Sequence, residues 1–81
     1  MLFYTLEQRV ASYLLEESRR LETDTLQVTQ EQLAQAIGSA REAVTRTLKK
    51  LSAAGLVELF RGGVRVRDRK GLEQLVERGG L

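Results

Sequence analysis

The stretch from Thr29 to Leu51, TQEQLAQAIGSAREAVTRTLKKL, carries two apolar stripes at helical spacing, one on each side of a single glycine. The stripes consist of Leu33, Ala34 and Ile37, and then of Val44, Leu48 and Leu51. Gly38 is the residue type that most readily takes the left-handed conformation at the end of a helix. The pattern predicts two short helices that pack at a steep angle, with the small Ala34 suited to a close crossing.

Polar residues mark the starts of both helices independently of the apolar pattern. Thr29 and Gln32 match the capping box, in which two side chains three residues apart each bond the other's backbone amide. Ser39 and Glu42 have the same spacing and suitable side chains. We therefore predict that the two helices begin just after Thr29 and just after Ser39.

The composition excludes several classes of protein. The 81 residues are enough for one small domain, spanning residues 1–81, and they include no cysteine or histidine, which removes disulfides, thiol nucleophiles and the commonest soft metal ligands. No serine has a histidine to activate it, no phosphate-binding loop is present, and no acidic cluster has metal-ligand spacing. We expect neither an enzyme nor a cofactor or metal site in this chain. The lack of a membrane-spanning run or secretion signal predicts a cytoplasmic protein, associated with the nucleoid if it binds DNA.

The net charge of +2 is unevenly distributed. Residues 1–38 contain three arginines and six acidic residues, whereas residues 39–81 contain ten basic and five acidic residues. A basic half of this kind is the electrostatic pattern expected where a polyanion such as DNA binds.

The residues before the opening stretch predict one helix and one short strand. The helix extends from Thr5 to about Leu21, with a capping box formed by Thr5 and Gln8. Its apolar stripe consists of Leu6, Val10, Tyr13, Leu14 and Leu21. Leu26–Val28 leaves room for only a short strand before the cap at Thr29.

The residues after the stretch predict a β-hairpin and a last helix. Leu56–Phe60 and Val64–Arg67 flank a turn of Arg61, Gly62 and Gly63, and strict alternation in the second segment places two valines inward and two arginines outward. Asp68 is a candidate N-cap for a short helix. The order of elements predicts an α+β, mainly helical, winged helix-turn-helix fold: a three-helix core, a β-hairpin wing and a short C-terminal helix.

The second helix of the pair, about residues 40–53, carries a charged face. At about 100° per residue, Arg41, Glu42 and Arg46 fall within an arc of roughly 140° opposite the apolar stripe. Arginine matches guanine O6 and N7, and glutamate accepts from the cytosine amino group. Because phosphates repel a carboxylate, Glu42 favours base recognition over backbone binding alone. The alternatives are that Glu42 orients Arg46 through an ion pair, or that the face is merely solvated.

A wider set of polar side chains is predicted to contact the DNA backbone. It consists of Thr29, Gln30, Ser39, Thr45, Lys49, Lys50, Arg61 and Arg65. For Lys49 and Lys50, stabilisation of the helix C-terminus is an equally good explanation. For the hairpin arginines, charge at a sheet edge also discourages pairing between molecules. Arg61 at the turn is the strongest hairpin candidate and Arg67 the weakest.

Together these motifs resemble a known family. The run LAQAIGSAREAVTRTLKKL, the following GLVEL, a glycine-containing turn and VRVRDRKGLEQL are similar to the C-terminal DNA-binding domain of the Crp/Fnr regulators, relatives of the bacterial cyclic-AMP receptor protein. The resemblance covers nearly the whole chain. It implies a bacterial transcription regulator whose recognition helix enters the major groove of double-stranded DNA at a TGTGA-like half-site.

The resemblance further implies a larger, homodimeric protein. Crp/Fnr regulators carry an N-terminal domain, where a cyclic nucleotide or another effector would bind, and a long dimerisation helix. We therefore expect this chain to be a fragment, with Met1–Tyr4 as the remnant of that helix, and to be a monomer or weak dimer by itself. Contact with RNA polymerase is implied, by position only, for Glu22–Thr25. Ala40, Ala43 and Thr47 depart from the family pattern, which puts some phosphate contacts and some core packing in doubt.

The alternative from another class is a winged-helix module that binds a protein and lacks sequence-specific DNA binding. Arg41 and Glu42 favour DNA, because the start of the second helix lies closest to the base edges in docked helix-turn-helix motifs. Early elution from heparin at low salt would favour the protein-binding alternative.

Overall fold

The computed structural model describes residues 4–79, so most of the helix remnant predicted for Met1–Tyr4 lies outside the described residues. Its helices are α1 (Leu6–Leu21), α2 (Gln30–Ile37), α3 (Arg41–Ala53) and α4 (Arg69–Arg78). Its strands are β1 (Thr25–Leu26), β2 (Val57–Phe60) and β3 (Gly63–Val66), which form an antiparallel sheet in the order β1-β3-β2. The predicted winged helix-turn-helix fold is confirmed.

Capping boxes begin α1 and α2, as predicted. The Thr5 hydroxyl accepts the backbone amide of Gln8 at 3.1 Å, and the Gln8 side chain accepts the amide of Thr5 at 2.8 Å. Thr29 and Gln32 form the equivalent pair at 3.0 and 2.9 Å. Each box satisfies two backbone amides near the helix start that have no intrahelical partner, and an N-cap of this kind typically contributes about 1 kcal/mol. The start of α2, the first helix of the helix-turn-helix pair, is therefore well defined.

The capping box predicted for Ser39 and Glu42 was wrong. α2 ends at Gly38, which has a left-handed φ of 81°. The amides of Gly38 and Ser39 both donate to the Ala34 carbonyl, at 2.8 and 3.0 Å, so Ser39 belongs to the end of α2. α3 begins two residues later with Ala40 as its N-cap, whose methyl group can accept no hydrogen bond. Glu42 is therefore not engaged in capping.

The hairpin pairs with a third strand on its other side. β1 joins the free edge of β3, with Thr25 opposite Arg65 and Leu26 opposite Val64. The predicted strand Leu26–Val28 overlaps β1 only at Leu26, because the chain leaves the sheet there to reach the cap of α2. A side chain at Gly63 would meet the Leu26 carbonyl oxygen at 2.4 Å. Glycine is therefore required where β1 crosses the start of β3.

One cluster of buried apolar side chains joins the helices and the sheet. Its members include Val10, Leu14, Leu33, Val44, Leu48, Leu51, Val57, Val64, Val66, Leu72 and Leu75. The stripe predicted for α1 was wrong at Leu21, which is 49% exposed, and it missed Ala11 and Leu15, which are buried. Since α1 packs against both α3 and α4, its buried face is wider than a single stripe.

α4 closes the core against α1. The Asp68 side chain accepts the amide of Gly71 at 2.9 Å and so begins α4, as predicted. Near the other end of α4, Gln8 Nε2 donates to the Val76 carbonyl at 2.6 Å. The nearly buried Gln8 amide therefore bonds the start of α1 through its oxygen and α4 through its nitrogen. These contacts hold α1 against α4, and α1 in turn packs against α3.

Candidate nucleic-acid interface

α3 presents one exposed, charged face opposite its buried stripe. Its exposed side chains include Glu42, Arg46 and Lys49, and Arg41 in the first turn is exposed at the edge of this face. Within residues 4–79, none of these four side chains has a hydrogen bond or ion pair to another residue. The ion pair considered between Glu42 and Arg46 is therefore not formed in this structure. The predicted base-recognition residues lie together on one face, and their polar groups are available to an external partner.

Thr45 and Gln30 connect α3 to α2 beside this face. The Thr45 hydroxyl donates a hydrogen bond to Oε1 of Gln30, the first residue of α2. Both residues are half-buried. Thr29, which precedes them, is engaged as the N-cap of α2. Two residues predicted as separate backbone contacts thus form one hydrogen-bonded pair.

Lys50 differs from its neighbour Lys49 because it has an intramolecular partner. Its ammonium group forms an ion pair with the carboxylate of Glu7, in the first turn of α1. The Glu7 side chain is only 16% exposed. The sequence carries no signal for Glu7, because the contact joins residues 43 positions apart and no local pattern marks it. The pair favours a structural role for Lys50.

The wing consists of β2, β3 and the turn between them. Arg61 lies at the turn, is exposed, and forms no ion pair within the described part of the chain. Arg65 and Arg67 instead share the carboxylate of Glu58, at 3.2 and 3.7 Å. Pairs this exposed are screened by water and contribute about 0–1 kcal/mol. Among the residues that the structure describes, Arg61 is therefore the wing cation without a counterion.

A groove of about 250 Å³ separates the wing turn from the starts of α2 and α3. Its lining residues are Val28, Thr29, Gln30, Arg41, Phe60, Arg61, Gly62 and Gly63. Arg41 and Arg61, which have no partner in the described part of the chain, thus border one groove from different elements. Phe60, which is 38% exposed, was not predicted as part of the site. An aromatic residue in a β-prone segment has no sequence signal that distinguishes a surface position from a core position.

Ionisable groups elsewhere in residues 4–79 do not gather into a comparable site. No cluster of metal-ligating side chains occurs between residues 4 and 79. On α1, a hydrogen bond from Arg20 lowers the pKa of the Glu17 carboxyl, and this exposed pair lies near the end of the helix. None of the described helices combines the length and apolar character needed to cross a membrane.

The fold and the charged face of α3 define a winged helix-turn-helix DNA-binding domain. A family model for the Crp-like helix-turn-helix domain matches residues 8–75. The chain belongs to the Crp-like helix-turn-helix domain family, which confirms the resemblance seen in its sequence.

Known relatives are transcription regulators. The chain is 38% identical over 55 residues to the transcriptional regulator SdrP of Thermus thermophilus. It superimposes on a Crp/Fnr family regulator from Eubacterium rectale with a TM-score of 0.90 and 42% identity over 94% of the chain. The catabolite activator protein of Thermus thermophilus gives a TM-score of 0.82 and 35% identity over 89% of the chain. The family consists of transcription regulators and not of enzymes, as the sequence predicted.

The matched region is a minor part of each relative. It covers 68% of this chain but 27% of SdrP. It covers 35% of the Eubacterium rectale protein and 34% of the Thermus thermophilus catabolite activator protein. The chain therefore spans about a third of the length of the relatives it matches.

Proposed function

We propose that this chain binds DNA sequence-specifically in a transcription regulator, with α3 inserted into the major groove. The observation that carries the proposal is the face of α3, where Arg41, Glu42 and Arg46 are exposed and have no partner within residues 4–79. A solvated helix face with charges of both signs commonly forms ion pairs three or four residues apart. The absence of such a pair in this segment leaves donors and an acceptor free for base edges.

Each of the three side chains has a matching base. Arg41 and Arg46 each contact O6 and N7 of a guanine, and Glu42 accepts a hydrogen bond from a cytosine amino group. The half-site then contains two closely spaced G·C pairs recognised on one strand and a third recognised through its cytosine. A TGTGA-like core supplies the first two of these G·C pairs, and the third lies beside that core. Each good contact discriminates against a wrong base by about 1–3 kcal/mol.

Polar groups around α3 hold the DNA backbone and set the register. They are Thr29, Gln30, Ser39, Lys49, Lys50, Arg61 and Arg65, with Thr45 hydrogen-bonded to Gln30. Lys49 and Arg61 contribute most, because their charges have no partner within the described residues. Lys50 and Arg65 already lie against carboxylates, so their net gain from a phosphate is smaller.

The proposed setting is a longer bacterial regulator that acts as a homodimer in the cytoplasm, on the nucleoid. The share of its relatives that the chain covers supports this proposal. In it, residues 1–81 are the DNA-binding domain, and a cyclic nucleotide or other effector binds an N-terminal domain outside this chain. Glu22–Thr25, before α2, is the segment proposed to contact RNA polymerase.

Binding of short labelled duplexes tests the proposal directly. The chain is titrated onto a TGTGA duplex and onto one whose G·C pairs are replaced by A·T, with fluorescence anisotropy as the readout. We expect tighter binding to the first duplex, and loss of that difference in Arg41→Ala and Arg46→Ala. Arg20→Ala removes the same charge from the end of α1 and should preserve the difference. Equal affinity of the wild-type chain for every duplex tested would reject sequence recognition by α3.

A further inference from the structure

The hydrogen bond between Thr45 and Gln30 changes the role that either residue can have at a DNA backbone. A threonine hydroxyl has one proton, and here it is donated to Gln30 Oε1. Phosphate oxygens accept hydrogen bonds and donate none. Thr45 therefore cannot bond a phosphate while its bond to Gln30 is intact.

The same bond leaves the other end of the glutamine amide free. With its oxygen engaged, the carboxamide keeps two N–H donors on Nε2, and within residues 4–79 neither of them donates to another residue. Gln30 also borders the groove between the wing turn and the starts of α2 and α3, together with Arg41 and Arg61. All three of these side chains can donate hydrogen bonds, and neither arginine has a partner among residues 4–79.

We propose that Thr45 is a positioning residue, which holds the Gln30 carboxamide so that Nε2 donates to a DNA phosphate in this groove. The proposal rests on the proposed DNA-binding function and replaces the direct phosphate contact predicted for Thr45. A free glutamine side chain loses rotamer freedom when it binds. Fixing the carboxamide in advance reduces that loss and increases the affinity.

A double-mutant cycle separates positioning from direct contact. Wild type, Thr45→Val, Gln30→Ala and the double variant are titrated onto a labelled duplex of about 20 base pairs with unrelated sequence, since phosphate contacts do not depend on sequence. We expect Gln30→Ala to weaken binding about tenfold and Thr45→Val about fivefold. In the Gln30→Ala background, Thr45→Val should have less than about a twofold further effect.

Two further measurements distinguish positioning from a general loss of structure. The salt dependence of binding should be unchanged in all three variants, because a neutral amide releases no counterion, whereas Arg61→Ala should reduce the slope by about one. Thr45→Ser keeps the hydroxyl and should restore wild-type affinity. Circular dichroism checks that each variant is folded. If Thr45→Val does not fold, Thr45→Ala takes its place in the double-mutant cycle.

Three outcomes would overturn the proposal. Additive effects of Thr45→Val and Gln30→Ala would mean that Thr45 contacts DNA itself. Wild-type affinity of Thr45→Val, with the duplex still bound, would reject the positioning role and leave the DNA-binding function intact. Failure of the wild-type chain to bind any duplex would reject the DNA-binding function, and the role of Thr45 with it.

Discussion

At the scale of single residues, Glu42 has the side chain that best separates base recognition from backbone binding. It lies in the first turn of α3, exposed, and takes no part in capping. Its carboxylate is repelled by phosphates but accepts from cytosine. We expect Glu42→Ala to relax the base preference at one position while total affinity stays equal or rises. Selection or competition with single-base variants of the site measures this.

A control for charge is available on α1. Glu16→Ala removes the same charge from an exposed position of another helix and should leave the preference at every position unchanged. If Glu42→Ala instead weakened binding equally to all sequences, Glu42 would stabilise α3 and would not recognise a base.

The cations around α3 differ in whether they already have a partner. Lys49→Ala and Arg61→Ala should each lower affinity for specific and random DNA alike and reduce the salt slope by about one. Lys50→Ala and Arg65→Ala should have smaller effects on the slope, because Glu7 and Glu58 already neutralise these charges. Binding titrations between low and moderate salt check the ranking. Equal salt slopes for all four variants and wild type would mean that none of these side chains contacts a phosphate.

At the scale of elements, Gly38 and Gly63 each occupy a position that favours glycine, but for different physical reasons. Gly38 has a left-handed φ, but a side chain there would meet no atom within 4 Å. Gly38→Ala should therefore lower the free energy of unfolding by only about 1 kcal/mol, the conformational cost. Gly63→Ala should cost more, about 2–3 kcal/mol, because its side chain would strike the backbone oxygen of Leu26. Urea unfolding followed by circular dichroism measures both, and a smaller loss for Gly63→Ala would contradict the account of the sheet.

The elements that local signals specify were predictable from the sequence. Capping boxes at Thr5 and Thr29 and the N-cap at Asp68 all rest on side chains within three residues of the amide they bond. The start of α3 was not predictable in this way. Ser39 has the right spacing to Glu42, but its amide is already bonded to the end of α2. The helix-end pattern at Gly38 and the helix-start pattern at Ser39 overlap there. Because Gly38 is left-handed, Ser39 bonds the end of α2 and does not cap α3.

Contacts between distant segments could not be predicted, because no periodicity encodes them. The pairs Lys50–Glu7 and Arg65–Thr25 join residues 43 and 40 positions apart. The face of α3 was predictable because it depends only on helical geometry and on the apolar stripe opposite. The ion pair with Glu7 that distinguishes Lys50 from Lys49 can be seen only in the packed structure.

At the scale of the whole molecule, the surface of residues 4–79 lacks a continuous apolar face for dimerisation. The large hydrophobic side chains that are exposed in this part are Tyr4, Leu21 and Phe60. Tyr4 and Leu21 lie at opposite ends of α1, whose 16 residues span about 24 Å, and Phe60 lies in the wing. The apolar face of α1 is already buried in the core. We expect the isolated chain to sediment as a monomer at micromolar concentration, and a stable dimer there would contradict this view.

A monomer binds only one half-site. Regulators of this type place two recognition helices about 34 Å apart on successive turns of the groove, which adds the affinity of a second contact surface. The isolated chain should bind a half-site with a dissociation constant of about a micromolar or weaker. Fusion of a dimerisation helix to its N-terminus should increase affinity for a palindrome much more than for a single half-site.

Selection from randomised duplexes shows whether the charged face of α3 recognises bases. The wild-type chain and the Glu42→Ala variant are each taken through rounds of binding and amplification. We expect the wild-type chain to enrich a short site with two closely spaced G·C pairs and a third recognised through its cytosine. We expect Glu42→Ala to lose the preference at one of these positions only. Bound duplexes without any enriched sequence would contradict base recognition by α3, and the same site for both proteins would contradict recognition of a base by Glu42.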